Sequence, residues 1–133
     1  MKIIDVQGIG PAYAEKLAMA GIRTTGALLK KGASPEGRKN IESATGIGNS
    51  LILEWVNLAD LYRIKGIGSQ YSDLLEEAGV DTVVELSNRV AGNLSSKMIE
   101  VNQAKNLVNK MPSTKLIEGW IEQAKKLPRV VTY

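Results

Sequence analysis

Several residue types on which enzymes and secreted proteins depend are missing from this sequence of 133 residues. There is no cysteine and no histidine. Disulfides and thiolate metal sites are therefore excluded, and the commonest general base and metal ligand are absent. Phenylalanine is also absent and aromatic residues make up only 5%, which disfavours a platform of rings that stack on bases. We expect a non-catalytic protein with no catalytic residues, no metal site and no cofactor.

Long apolar runs are also missing. No stretch approaches the roughly 20 apolar residues that a helix needs to cross a bilayer. The first residues, MKIIDVQGIG, lack the apolar core of a signal peptide. We expect a cytoplasmic protein without a membrane partner. The net charge of +3 permits binding to nucleic acid without requiring it.

The chain contains an internal repeat. VQGIGPAYAEKLAMAGIRT (residues 6–24) aligns with IKGIGSQYSDLLEEAGVDT (residues 64–82), and LILEWVNLA (residues 51–59) resembles LIEGWIEQA (residues 116–124). Self-similarity of this kind indicates a duplication. We predict a first half at residues 1–61 and a second half at residues 62–127, packed as one compact body with approximate internal symmetry. Residues 128–133 form a tail.

Helix start and stop signals recur along almost the whole chain. Pro11 suits a first helical position and Gly21 suits a helix end, while Thr24 and Ser34 are good caps. Further helix starts are predicted at Asn49, Ser69, Thr82, Ser95 and Ser113. The pattern predicts an all-α fold of about eight short helices.

Two tryptophans and two tyrosines fall at equivalent places in the repeat. Trp55 and Trp120 recur at helical spacing with apolar neighbours, which favours a core position over a role in stacking on bases. Tyr13 and Tyr71 are expected to be packed or half-buried for the same reason.

Three turns share the sequence Gly-Ile-Gly. The glycines allow a positive φ, so that two helices are joined within a few residues. The isoleucine is expected to lie under the turn as a plug between the helices. A fourth, degenerate turn has Met111, Pro112 and Ser113 in its place, and Pro112 has no N–H to donate.

These turns, with their Ala-Gly-(Ile/Val)-x-Thr continuation, resemble the helix-hairpin-helix superfamily. The resemblance implies tandem helix-hairpin-helix repeats in a SAM-domain-like small helical bundle. In that family the second glycine exposes backbone N–H groups at a helix N-terminus, where they attract a phosphate oxygen. Members commonly bind the DNA backbone without reading sequence, and some hold a monovalent cation in the turn.

Residues 3–127 also resemble an uncharacterised prokaryotic domain-of-unknown-function family with tandem helix-hairpin-helix repeats. The most telling segments are RIKGIGSQYSDLLEEAGVDTVVEL and WIEQAK. This resemblance supports the fold and implies no particular activity.

Positive charge gathers between the first and second turns, in residues 23–39, where Glu36 is the only acidic residue. We therefore predict a non-sequence-specific DNA interface that combines the first two turns with this basic segment. Its residues are Gly8, Ile9, Gly10, Gly46, Ile47, Gly48, Asn49, Arg23, Lys30, Lys31, Arg38 and Lys39.

The third turn, Gly66, Ile67 and Gly68, is assigned a mainly architectural role. No basic residue directly follows the second glycine in any of the three turns. After the third turn, three acidic residues that would repel a phosphodiester come soon after: Asp73, Glu76 and Glu77. An aspartate in place of Gly10 or Gly48 is expected to weaken DNA binding more than one in place of Gly68.

The alternative hypothesis is a helical adaptor that binds a protein and no nucleic acid. Its contact surface would include an exposed apolar tail, residues 130–133, which could add a strand to a partner or be a disordered end. An enzyme ranks last. Asp5, Asp60, Asp73 and Asp81 form no tight acidic motif, and capping or surface ion pairing accounts for them.

Overall fold

The computed structural model describes residues 1–133 and is all-helical. A short 3-10 helix lies at Ile3–Asp5. The eight α-helices are α1 (Pro11–Met19), α2 (Thr25–Gly32), α3 (Pro35–Thr45), α4 (Asn49–Leu61), α5 (Ser69–Glu77), α6 (Val83–Ser87), α7 (Ala91–Lys105) and α8 (Thr114–Lys126). The predicted all-α fold is confirmed, and no helix is both long and apolar enough to cross a bilayer.

Hydroxyl side chains begin half of the helices, since each accepts a hydrogen bond from a first-turn N–H that has no partner within its helix. These caps, with distances of 3.0–3.2 Å, are Thr24, Ser34, Thr82 and Ser113. Pro11 and Pro35 stand at the first helical position, where a missing N–H costs nothing.

One predicted helix start is misplaced. Ser95 lies inside α7, which begins at Ala91 after an extended Val90. Leu94 donates its N–H to Val90 O and is buried, so apolar packing begins this helix about a turn earlier than its serine. The starts predicted at Asn49 and Ser69 are confirmed, although each is the first residue of its helix and not a cap.

Glycines end α1 and α5 in the same way. Gly21 has φ +83° and Gly79 has φ +95°, the left-handed conformation that favours glycine. The residue after each glycine donates its N–H to Leu17 O or Leu75 O, at 2.8 Å in both cases. This backbone pattern satisfies helix-end carbonyls and reverses the chain.

Backbone contacts divide the chain into two units. Unit 1 comprises Met1–Asp60 together with Val130–Tyr133. Trp55 is 2% exposed and its ring centroid lies 5.1 Å from that of half-buried Tyr13. Residues 128–133 are predicted from sequence to be a separate tail, whereas the last four belong to unit 1.

Unit 2 comprises Leu61–Arg129. Its apolar core draws on α5 to α8 and is centred on Trp120, which is fully buried. The ring of half-buried Tyr71 lies 5.4 Å from the Trp120 ring. The predicted core position of both tryptophans, and the half-buried position of both tyrosines, are confirmed.

Candidate nucleic-acid interface

The first glycine of each Gly-Ile-Gly turn is left-handed. The φ angles are +88° at Gly8, +75° at Gly46 and +97° at Gly66. A β-carbon at Gly8 would lie 3.6 Å from Trp55 Nε1, and one at Gly66 only 3.0 Å from Trp120 Nε1. Backbone conformation therefore requires a glycine here, and at Gly66 the close indole ring does so as well.

The central residue of each turn is a buried plug, as predicted. Ile9, Ile47 and Ile67 are all buried. Pro112, which replaces the isoleucine in the degenerate fourth turn, is buried too. Because these side chains point into the units, they shape the turns and do not contact a ligand directly.

The second glycine of each turn differs from the first. Gly10 and Gly68 are extended, with φ −85° and −101°, and Gly48 has no positive φ either. A β-carbon at any of the three would meet nothing within 4 Å. Neither backbone conformation nor packing within the chain explains a glycine at these positions, and the space beside them is open.

The helices that follow the first and third turns begin without a side-chain cap. Gly10 precedes α1 and Gly68 precedes α5, and no side chain accepts a hydrogen bond from the first turn of either helix. Val90, before α7, shares this property. Uncapped first-turn N–H groups at the positive end of a helix attract anions.

The second turn is different because an acidic side chain already occupies the start of α4. Glu42 Oε2 accepts a hydrogen bond of 2.8 Å from Asn49 N–H. The Ile47 N–H donates to Thr45 Oγ1 at 3.1 Å. The first N–H of α4 is therefore already bonded to a carboxylate of the same chain.

Acidic residues follow the third turn along α5, as its sequence indicated. Burial raises the pKa of the Tyr62 phenol, against a hydrogen bond donated by Ser72, and the charges of Asp73 and Glu76 raise this pKa further. Glu77, at the end of α5, forms an ion pair with Lys105. The acidic field disfavours a phosphate near α5.

Four of the five predicted basic residues, Arg23, Lys30, Lys31 and Lys39, are exposed. The Lys31 Nζ donates to Ala20 O at 3.2 Å and so binds the carbonyl end of α1. In unit 2 the equivalent Arg89 donates to Gly79 O at 2.9 Å. Lys31 thus has a structural role that the sequence analysis missed.

The prediction that Arg38 contacts nucleic acid is corrected by its burial. Arg38 is 3% exposed, and its guanidinium donates to Gly32 O at 2.9 Å, Ala33 O at 3.1 Å and Thr132 O at 2.7 Å. Desolvation lowers the pKa of Arg38, and the nearby Tyr133 opposes that shift. Its position three residues before buried Ile41 on α3 was the signal for burial.

The C-terminal residues are docked in unit 1 rather than exposed. Val131 is buried, and Thr132 N–H donates to Ala33 O at 2.8 Å. The Tyr133 hydroxyl donates to Asn57 Oδ1 at 3.2 Å. The expectation that this tail is available as a strand for a partner is therefore wrong for the chain in this conformation.

Two residues near the turns were missed by sequence reasoning. Lys2 pairs with Thr24 through an isolated bridge and lines a cavity together with Arg23, and nothing local in the sequence indicates this long-range pairing. Glu42 did leave a signal, because it stands four residues before Gly46 and neither Ile4 nor Tyr62 at the equivalent positions is acidic.

The fold and these turns define a class, a small all-α protein with helix starts exposed at glycine-rich turns. A family model described as "Domain of unknown function (DUF4332)" matches residues 7–127, so the chain belongs to this family. Neither the comparison with curated proteins nor that with solved structures gave a significant match.

Proposed function

We propose that this chain is a tandem helix-hairpin-helix protein that binds DNA weakly, through the phosphate backbone and without sequence preference. The observation that carries the proposal is Gly10. It is extended, a β-carbon there would meet nothing within 4 Å, and no side chain caps α1 behind it. A phosphodiester that approaches the start of α1 needs that open space, whereas the chain itself does not.

The first turn of α1 supplies the hydrogen-bond donors. Pro11 has no N–H, and Ala14 N–H bonds back to Gly10 O at 2.9 Å. The N–H groups of Ala12 and Tyr13 therefore remain for an incoming ligand, since the first turn of a helix has no internal acceptors. Two neighbouring donors suit two oxygens of one phosphate.

Cations flank this helix on one side. Lys2 and Arg23 line a cavity with Ala14 and Ala18 of α1. Glu15 lines the same cavity and offsets part of the positive charge. Exposed Lys30 and Lys39 add further charge in unit 1. This mixture of positive and negative charge favours weak DNA binding, with an affinity that falls steeply as the salt concentration rises.

A first prediction concerns Gly10→Asp. The new carboxylate would occupy the anion position while acting as a favourable helix cap, so the protein should stay folded. We expect duplex affinity to fall about tenfold, the contribution of one hydrogen bond to a charged group. Fluorescence anisotropy with duplex, single-stranded and branched DNA at two salt concentrations measures this. Each phosphate engaged should contribute about 0.9 to the log–log salt slope for duplex DNA.

Gly68→Asp is the matched control, because it introduces the same side chain before an uncapped helix in unit 2. Its effect should be smaller, since Asp73 and Glu76 already disfavour a phosphate at α5. Equal losses would contradict the assignment of the main contact to α1. No binding by the unmodified protein at low salt would reject the proposal.

The adaptor alternative has one observation in its favour. Met19 is 84% exposed and Ile4 is 46% exposed, and Ile4 lines a cavity of about 450 Å³ beside α1. Exposed apolar surface of this kind often marks a protein interface. A protein partner that is retained after nuclease treatment and lost on Met19→Glu would favour the adaptor.

A further inference from the structure

A cavity of about 380 Å³ lies in unit 2 beside α8. Part of its lining is apolar, since Leu116 and Trp120 contribute to it, and Leu116 is 42% exposed although it is a large apolar residue. Two lysines, Lys65 and Lys115, also line the cavity, and no acidic residue does. A compact apolar molecule that carries a negative charge would match this lining.

Both lysines are available to a ligand. Lys65 and Lys115 are exposed, and neither forms an ion pair with an acidic residue of the chain. Glu118 stands three residues after Lys115 on α8 and offsets some of its charge, but it does not line the cavity. Two unpaired cations at one cavity suit a phosphate monoester, which carries a charge of about −1.5 to −2 at neutral pH.

Gln123 holds the backbone of Lys65 against α8. Its Oε1 accepts a hydrogen bond of 2.9 Å from the Lys65 N–H, and its Nε2 donates one of 3.3 Å to Lys65 O. Both ends of this side-chain amide are therefore used, while the side chain of Lys65 stays exposed. Gln123 also lines the cavity and acts as a positioning residue for the lysine.

The indole N–H of Trp120 is an unsatisfied donor beside this cavity. Trp120 is fully buried and its Nε1 has no hydrogen-bond partner, which is rare for a buried polar atom. A β-carbon on Gly66 would lie 3.0 Å from that nitrogen, and the preceding residue, Lys65, lines the same cavity as the indole. A negative charge held in the cavity would stabilise this N–H dipole. The missing acceptor is thus a second indication of an anionic ligand.

Gly119 is a third indication. It lies inside α8, where glycine is unfavourable, and a β-carbon there would meet nothing within 4 Å. Neither helix formation nor packing within the chain explains this glycine, which lines the cavity. In the repeat, the equivalents of Gly119 and Lys65 in unit 1 are Glu54 and Gln7. Unit 1 therefore has a carboxylate in place of the glycine and lacks this lysine.

We propose that the cavity in unit 2 binds a small organic phosphate. The phosphate group lies between Lys65 and Lys115, and the apolar part of the ligand packs against Leu116 and Gly119. Every residue that lines the cavity belongs to unit 2, whereas the proposed DNA contact is at α1 in unit 1. The inference therefore goes beyond the proposed function and does not depend on it.

Phenyl phosphate tests this proposal, because it joins a phosphate group to a compact ring. NMR spectra of the indole N–H groups are recorded as the compound is added. The Trp120 signal, assigned by its loss in Trp120→Phe, should shift with a Kd of about 1 mM, in line with the affinity that so small a ligand can reach. The Trp55 signal of unit 1 is the internal control and should not move. Absence of a saturable shift at Trp120, or equal shifts of both signals, would overturn the proposal.

Lys115→Ala and its matched control Lys126→Ala test the role of the cations. Both lysines are exposed on α8, so each variant loses one charge, but only Lys115 lines the cavity. The Kd for phenyl phosphate should rise about tenfold in Lys115→Ala, as expected when one charged hydrogen bond is lost. It should change less than about twofold in Lys126→Ala, because salt screens a distant exposed charge. Equal effects would mean that the ligand senses only the net charge, which contradicts the proposed site.

Gly119→Glu introduces into unit 2 the carboxylate that unit 1 has at Glu54. The variant should fold, since the new side chain has open space and favours a helix, and circular dichroism checks this. Binding of phenyl phosphate should become too weak to measure. Unchanged binding by the folded variant would overturn the placement of the ligand against α8.

Two related compounds define the class of ligand. Phenol has the ring without the charge and should not bind, and benzoate has a single negative charge and should bind more weakly than phenyl phosphate. Benzoate that binds as tightly as phenyl phosphate would overturn the assignment of a phosphate. Phenol that binds as tightly would overturn the role of the two lysines.

Discussion

Replacing Arg38 with methionine should lower the free energy of unfolding by about 3 kcal/mol, because buried carbonyls lose a charged donor. Methionine retains much of the apolar stem but leaves the acceptors of Gly32, Ala33 and Thr132 without the guanidinium. The C-terminal residues should detach from unit 1 as a result. Urea denaturation measures the stability, and hydrogen exchange of the Thr132 amide, which bonds to Ala33 O, measures the detachment.

Lys39→Met is the control for this prediction. Lys39 is the next residue on α3 and is exposed, so its loss should change stability by no more than about 0.5 kcal/mol. Under the proposed function it should instead flatten the salt dependence of DNA binding. If Arg38→Met were as stable as the unmodified protein and flattened the salt dependence of DNA binding, Arg38 would belong to the DNA interface. Its assigned role in holding the C-terminal residues in unit 1 would then be wrong.

The parts of the fold that were predicted from sequence are those set by local pattern. Thr24, Ser34, Thr82 and Ser113 act as caps within three residues of their donors, so a short window of sequence contains the whole interaction. The buried isoleucines and tryptophans follow from apolar spacing that recurs in both halves. Ser95 was misplaced because tertiary packing of Leu94 outweighs a good cap residue.

The candidate site was less predictable because its details depend on long-range contacts. Arg38 reaches Thr132, 94 residues away, and its local spacing to Ile41 on α3 does not reveal this distant partner. Lys2 is brought beside Arg23 by the backbone pairing of residues 1–3 with residues 23–25. The basic residues between the first and second turns therefore separate, in the structure, into exposed cations and one buried arginine that binds the C-terminal residues.

The two glycines of each turn also have different physical roles that the sequence does not distinguish. The first is required by its left-handed φ. The second has no such requirement, and its value lies in the space it leaves before a helix start. At the second turn a residue outside the motif, Glu42, also accepts a hydrogen bond from the Asn49 N–H.

The largest loss of stability is expected for Trp120→Ala, at about 4 kcal/mol, because a fully buried large ring leaves a cavity when it is removed. Trp120 is 0% exposed and contributes to the core of unit 2. Trp120→Phe should cost much less. The indole Nε1 is buried with no hydrogen-bond partner, so phenylalanine removes an unsatisfied donor along with part of the ring.

Urea denaturation followed by circular dichroism compares these variants with Trp55→Ala in unit 1. Trp55 is the other tryptophan of the chain and is 2% exposed, so its removal should cost a similar amount. If Trp120→Phe destabilised the protein as much as Trp120→Ala, the N–H would have to be satisfied in solution. A hydrogen-bond acceptor would then have to reach the Trp120 N–H beside Gly66, whose left-handed backbone lies against the indole. The third turn would then do more than cover the core of unit 2.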